Sequence, residues 1–415
     1  MKHLFYILLG LFLLLASCTD DNEFNKIEQN QACNQFRSES DILEIASNAS
    51  DIFSSKSLIS RKSSRILDKN SKPIAIGKIK SRSSEPLMYA VNYADSEGYV
   101  IIPSSHNAPE IIAFVEEGSF SNSSIENNPG LNIYLKDASN YLSSLEPIDT
   151  LRPSDEKTVY EPDTVIQIGP FLNNRWRASS FVDSENPDGG AGTSEIAVSF
   201  FLAYYKYTGS IDLTYLNNDS TIEMDWDAFY FHFSDQNQQL LKGDLCTTKY
   251  PDCHNQMASL VREIGYRSNT NYSSIFPSTS PISLEKTLKS LSIYSISEYS
   301  ATSRSFASQL PSHNIIIVLG KDDTYGDQAW LCDGYIEVRQ KVKRYVSHNN
   351  GLTWEWDGGT IHYTQSQYFN HFNWCCHASN GYYLDLNFKP RMCPLNFKSE
   401  IKYWCITPES WMVGF

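Results

Sequence analysis

Apolar residues recur at helical spacing between Ser40 and Phe53, at Ile42, Leu43, Ile45, Ala46, Ala49 and Ile52, and predict an amphipathic helix. A Ser-, Lys- and Arg-rich stretch from Ser54 to Ser71 reads as a loop. Four short β-like runs follow, at Ile74–Ile76, Leu87–Val91, Gly98–Ile102 and Ile111–Val115, each bounded by Asp, Ser, Gly or Pro. They predict a small antiparallel sheet, and Leu131 to Leu145 returns to helical spacing. Glu146 to Thr164 is acidic and Pro-containing, the composition of an exposed linker. Beyond it, helices are predicted first, at Glu195–Tyr207, Cys253–Ile264 and Leu284–Leu291. Strands come after them, at Asn314–Gly320, Ala329–Leu331, Tyr335–Val338, Thr360–Tyr363 and Gly381–Leu386. Helices followed by antiparallel strands define an α+β arrangement.

Composition narrows the class. The 415 residues suffice for two ordinary cores, and 25 Tyr with 21 Phe argue against disorder throughout. A formal net charge of -14 with no dense Lys/Arg run repels phosphate, which speaks against nucleic acid or anionic lipid as partners. At the N-terminus, Lys2 and His3 precede an apolar run from Leu4 to Leu15. That run is short of the roughly 20 residues of a spanning helix and reads as a secretory signal. It ends in Leu15-Ala16-Ser17-Cys18, which resembles the lipobox of bacterial lipoproteins. The resemblance implies a signal peptide over 1–17, lipidation of Cys18, and a membrane tether over 18–35. Asp20, Asp21 and Glu23 resemble signals that place lipoproteins on the surface of Gram-negative outer membranes.

Eight further Cys lie in a compartment where disulfides persist; Cys246 with Cys253 and Cys393 with Cys405 are close in sequence, but spacing leaves connectivity open. Cys375, Cys376 and His377 invite a metal reading. No second Cys/His pair stands at a zinc-site spacing, so no metal or cofactor is expected.

Four blocks together resemble the streptopain family of cysteine peptidases, which pair an inhibitory propeptide with a papain-like catalytic domain. The first is Leu87–Tyr93 with Glu97–Ile102 and Ala108–Phe114, similar to the propeptide's strand pattern. The second is Gly192-Thr193-Ser194-Glu195 leading to Tyr204-Tyr205-Lys206-Tyr207, where the family has Gly-Cys-Val-Ala and a Tyr-x-Lys-Tyr tail. The third is Gln328-Ala329-Trp330-Leu331-Cys332-Asp333-Gly334-Tyr335, against His-Ala-Trp-Val-x-Asp-Gly-Tyr. The fourth is His371-Phe372-Asn373-Trp374 with Asn380-Gly381-Tyr382, against His-x-Asn-Trp-Gly-Trp-Gly-Gly and Asn-Gly-Tyr. The resemblance implies a propeptide-like domain over 36–145, a linker over 146–164 and a papain-like domain over 165–415.

It also implies which chemistry is missing. A cysteine peptidase needs a thiolate whose pKa a nearby imidazolium and helix N-terminus lower. In the family's register Thr193 holds the nucleophile's place and Gln328 the base's, and an amide has no basic nitrogen. The family's oxyanion-donating Gln is Ala178, and its Gly-Trp-Gly lid is Cys375-Cys376-His377; Asn373 and Trp374 are retained. His371 and Cys332 read as structural, and Asp333 as a turn residue. The expectation is a lipid-anchored pseudopeptidase whose partner is a polypeptide or a related peptidase. The rival readings are an active zymogen with a rearranged site, at Thr193 or Cys376/His377, and a scaffold whose cleft is filled by Arg177 or Glu195.

Overall fold

The computed structural model describes residues 36–53, 72–81, 86–106, 108–116, 118–121, 128–145, 156–172, 190–205, 211–216, 220–222, 224–226, 251–273, 277–291, 295–300, 303–313, 315–322, 325–346, 355–375, 382–385 and 402–407. Cys18, Arg177, Ala178, Cys376, His377 and both sequence-adjacent cysteine pairs, as pairs, lie outside this set.

Helix α1 (Glu39–Phe53) starts where its pattern predicts. Ser38 Oγ accepts the Asp41 N–H at 3.2 Å and Asp41 Oδ2 accepts the Ser38 N–H at 2.8 Å, a reciprocal cap. Strands β1 (Pro73–Ser81), β2 (Pro86–Tyr93), β3 (Tyr99–Pro103) and β4 (Ala113–Val115) form an antiparallel meander. Gly98, at φ +97°, sits against the Val115 and Glu116 backbone, which a Cβ would overlap. Helix α2 (Pro129–Leu142) is capped by Asn128, whose Oδ1 accepts the Leu131 N–H at 3.0 Å, with Pro129 at its first position.

The remaining elements are β5 (Glu156–Ile168), α3 (Thr193–Tyr204), β6 (Ile211–Asp212), β7 (Thr221–Ile222), α4 (Pro251–Arg267), α5 (Pro281–Ser290), β8 (Ser295–Ser300) and α6 (Ser303–His313). Then come β9 (Ile316–Asp322), β10 (Gly326–Val346), β11 (Glu355–Asn373), β12 (Tyr382–Asp385) and β13 (Lys402–Thr407). The class is α+β, as the pattern predicts.

Two expectations need correction. The segment 146–164 is not all linker: from Glu156 it is strand β5, paired antiparallel with β10 from Glu156↔Val346 to Ile168↔Tyr335. Its Pro and acidic residues resemble a linker in composition, but Val159, Val165, Ile166 and Ile168 supply strand character between them. Nor do the two predicted domains have separate sheets. Among the described residues, eleven strands form one sheet in the order β1-β2-β3-β4-β12-β11-β10-β9-β13-β8, with β5 also on β10. The join is β4 with β12, in the register Ala113↔Leu384 to Val115↔Tyr382.

Alternation along the strands divides the apolar residues between the sheet's faces. On one face, Leu131, Leu135 and Ala138 of α2 and Phe306 and Leu310 of α6 pack with Val318, Trp330, Phe372, Trp374 and Leu384. On the other, α1 packs Ile42, Ala46, Ala49 and Phe53 onto Val91, Val100, Phe114, Ile336 and Phe369. Farther along, Ile196, Val198 and Phe201 of α3 and Leu260 and Ile264 of α4 cover Ile317, Leu319, Ala329 and Leu331.

Candidate functional site

Gly192 opens α3 as its N-cap in extended conformation, φ -76° and ψ 152°. The Gly192 N–H donates to the Glu195 carboxylate, closing the first turn and presenting Thr193 as the first helical residue. Gln328 lies near the start of β10, paired with Gly320 of β9. Helix start and strand meet here. Thr193 Oγ1 donates to Gln328 Oε1 at 2.7 Å, and the Ala329 N–H donates back to Thr193 Oγ1 at 3.3 Å. The Gln328 amide nitrogen donates to the Tyr325 carbonyl at 2.6 Å and the Pro277 carbonyl at 3.2 Å. Both of its hydrogens and its acceptor are therefore in use.

The sequence register thus brings together the two residues it singles out. Neither ionises near neutral pH, so the pair holds a hydrogen bond but contains no base to take the Thr193 proton. Thr193, Gln328 and Asn373 are 8%, 2% and 5% exposed.

Asn373 is in the same region, at the end of β11 opposite Leu331. Its carboxamide oxygen accepts the Cys375 N–H at 3.0 Å. Cys375 has φ +54°, so the backbone keeps a glycine-like conformation at a place where the family resemblance has Gly. Its thiol is buried and donates to the Asn373 carbonyl at 3.5 Å. Cys332 and Cys375 are both buried, and no group of three or more His, Cys, Asp or Glu among the described residues is arranged to hold a metal. Trp374 stacks on Phe372 (centroids 5.4 Å apart, planes at 13°) and meets Trp330 edge-on at 5.2 Å.

Glu195 does not fill the space between Thr193 and Gln328. Its carboxylate turns toward α4, where it accepts from the Tyr272 hydroxyl and contacts Gly265 closely enough that any Cβ there would overlap it. Burial raises its pKa to about 7 against the downward pull of the Tyr272 and Gly192 hydrogen bonds.

The N-terminal domain reaches this site. Gly130, in the first turn of α2, lies flat on the Trp374 indole, where a Cβ would overlap the ring. Asn132 Nδ2 donates to the Tyr325 hydroxyl at 2.7 Å, and Tyr325 is the residue whose carbonyl holds Gln328. The motif comparison gave no sign of these contacts; a Gly two residues after a helix cap was the only available signal.

A second polar cluster also escaped the sequence reading. Asp333 is not a turn residue: it lies inside β10, fully buried, and its Oδ1 is 2.5 Å from His371 Nδ1. Asp333 Oδ2 accepts the Leu172 N–H at 2.8 Å. His371 Nε2 is 3.7 Å from Glu116 Oε2, just past β4 of the N-terminal domain. Burial alone would lower the His371 pKa, but the Asp333 and Glu116 carboxylates outweigh it and raise the value to about 9.

A family model for the Spi protease inhibitor matches residues 45–142. That stretch of the N-terminal part is therefore similar to a protease-inhibitor domain. A fragment of prointerpain A from Prevotella intermedia is similar in structure, with a TM-score of 0.49 and 16% identity, over 80% of this chain and 97% of that one. No match is found among curated proteins.

Proposed function

We propose that this protein is a lipid-anchored pseudopeptidase of the streptopain type, which engages a polypeptide or a related peptidase without cleaving it. The observation that carries the reading is the Thr193–Gln328 hydrogen bond, a hydroxyl on an amide where the resemblance expects a thiol and an imidazole. A Thr hydroxyl without a base is not a nucleophile at neutral pH. The inhibitor-type domain supports the streptopain side of the reading. Anchoring through Cys18 and an outer-membrane, surface-exposed location rest on the lipobox-like N-terminus.

The test is direct. The purified protein, intact and after a cut within 146–155, is incubated with casein, with and without a thiol alkylator. No turnover in any arm is expected. Alkylator-sensitive turnover after the cut would instead identify an active zymogen with a rearranged site.

The burial of Thr193, Gln328 and Asn373 favours a second reading, a scaffold with a closed cleft. Labelled unfolded polypeptides separate the two: saturable binding that Thr193→Trp abolishes supports a ligand-accepting cleft, and absence of binding supports the scaffold.

A further inference from the structure

The resemblance implies a removable propeptide, but the seam between the two domains is built like the interior of one. Beside the β4–β12 pairing, the Asp385 N–H donates to the Ile112 carbonyl at 2.9 Å. The Tyr134 hydroxyl of α2 donates to the Ile112 carbonyl at 2.8 Å and lies 3.0 Å from the Asp385 carbonyl. Gln367 of β11 bridges the seam, with Nε2 3.0 Å from the Ile111 carbonyl and 2.8 Å from Asp385 Oδ2.

Apolar contacts cross on both faces. Phe53 of α1 stacks on Phe114 with ring centroids 4.5 Å apart, and meets Phe369 of β11 edge-on at 5.2 Å. On the opposite face α2 lies on Phe372 and Trp374. At the same seam, Glu116 from the first domain meets the buried His371–Asp333 pair of the second. Separation would strip one carboxylate from a buried imidazolium and open two apolar surfaces and a sheet edge to water.

We propose that residues 36–145 are a permanently docked partner of the rest of this chain, held by the β4–β12 seam and the Glu116–His371–Asp333 contact, so that cutting the connection does not release them. The covalent connection is not what joins the two parts. Only the thirteen residues 143–155 connect α2 to β5, and β5 is itself bound along β10. The inference does not depend on whether Thr193 is catalytic.

The charged groups facing His371 are Asp333 of β10 and Glu116 beyond β4, while the Asp385 carboxylate at the end of β12 is directed to Gln367. With His371 cationic at neutral pH, both carboxylates attract it. Deprotonation leaves them as buried anions with no cation between them.

The experiment places a site-specific protease sequence within 146–155 of the full chain, cuts it, and follows the two pieces by size-exclusion chromatography and light scattering. Co-elution at 1:1 is expected down to about micromolar concentration or below. Separation of two folded pieces at neutral pH would overturn the proposal. In the cut protein, His371→Gln is expected to speed exchange with labelled N-terminal piece at least tenfold, and so is a rise from pH 7 to pH 10 in the unsubstituted protein. Should His371→Gln fail to fold, the pH arm alone decides. Exchange that is unchanged in both arms would remove the His371 contact from the proposal.

Discussion

Thr193 Oγ1 donates to Gln328 Oε1 across 2.7 Å, tying the first residue of α3 to the start of β10 at a buried position. The bond is a structural tie. Thr193→Val keeps the shape and leaves the Gln328 oxygen without its donor, which costs roughly 1–3 kcal/mol. A urea denaturation curve should show the loss, and Thr193→Ser should recover most of it. A Val variant as stable as the parent would mean that the amide finds another donor.

His371 should make stability fall on the alkaline side. Its folded pKa, about 9, lies above the ordinary value of 6.5. Its contribution is therefore complete below about pH 6.5 and is lost as the pH rises through 9. Chemical denaturation between pH 6 and pH 10 should show that decline in the parent and a flatter profile in His371→Gln. Breaking a buried pair of this kind costs on the order of 3–5 kcal/mol at neutral pH.

Glu195 titrates with the same sign, over a lower pH window. Burial raises its pKa from 4.5 to about 7, so the folded state prefers the protonated acid. Stability is unpenalised below about pH 4.5 and falls as the pH rises through 7, by an amount on the order of 3 kcal/mol once ionised. Glu195→Gln should flatten the profile over that window while losing an acceptor for Tyr272 or for the Gly192 N–H. Equal slopes in parent and variant would show that the carboxyl is not buried as described.

Gly130 should tolerate nothing larger. Gly130→Ala would ordinarily favour a helix by about 1 kcal/mol. Here its Cβ overlaps the Trp374 ring, and overpacking of this kind costs roughly 1–3 kcal/mol. A lower Tm with a shift in Trp fluorescence is expected. A higher Tm would place α2 away from Trp374.

Periodicity made most of the elements legible. Helix α1 and strands β2, β3 and β4 fall within a few residues of their predicted positions because each has one apolar face and clear punctuation. The predicted runs at Ala329–Leu331 and Tyr335–Val338 are parts of one strand, β10, because the Asp333-Gly334 pair between them interrupts the apolar pattern without ending the strand. Strand β5 was hidden by the same effect.

The candidate site divides along a similar line. Its central pair was readable because a motif fixes residue types at set offsets, and Thr193 and Gln328 stand at two of them. Asp333 was misread because a local Asp-Gly signal describes a turn, whereas its partner His371 is 38 residues away.

The sequence by itself determined which side chains hold the helix-to-strand junction, and hence that a hydroxyl and an amide meet there. Only the tertiary structure decided that β4 joins β12, that α2 rests on Trp374, and that Glu116 shares His371 with Asp333. Local pattern reports the face that a segment buries. Which distant segment covers that face depends on the complementarity of shape and charge between surfaces, and no spacing along the chain encodes it.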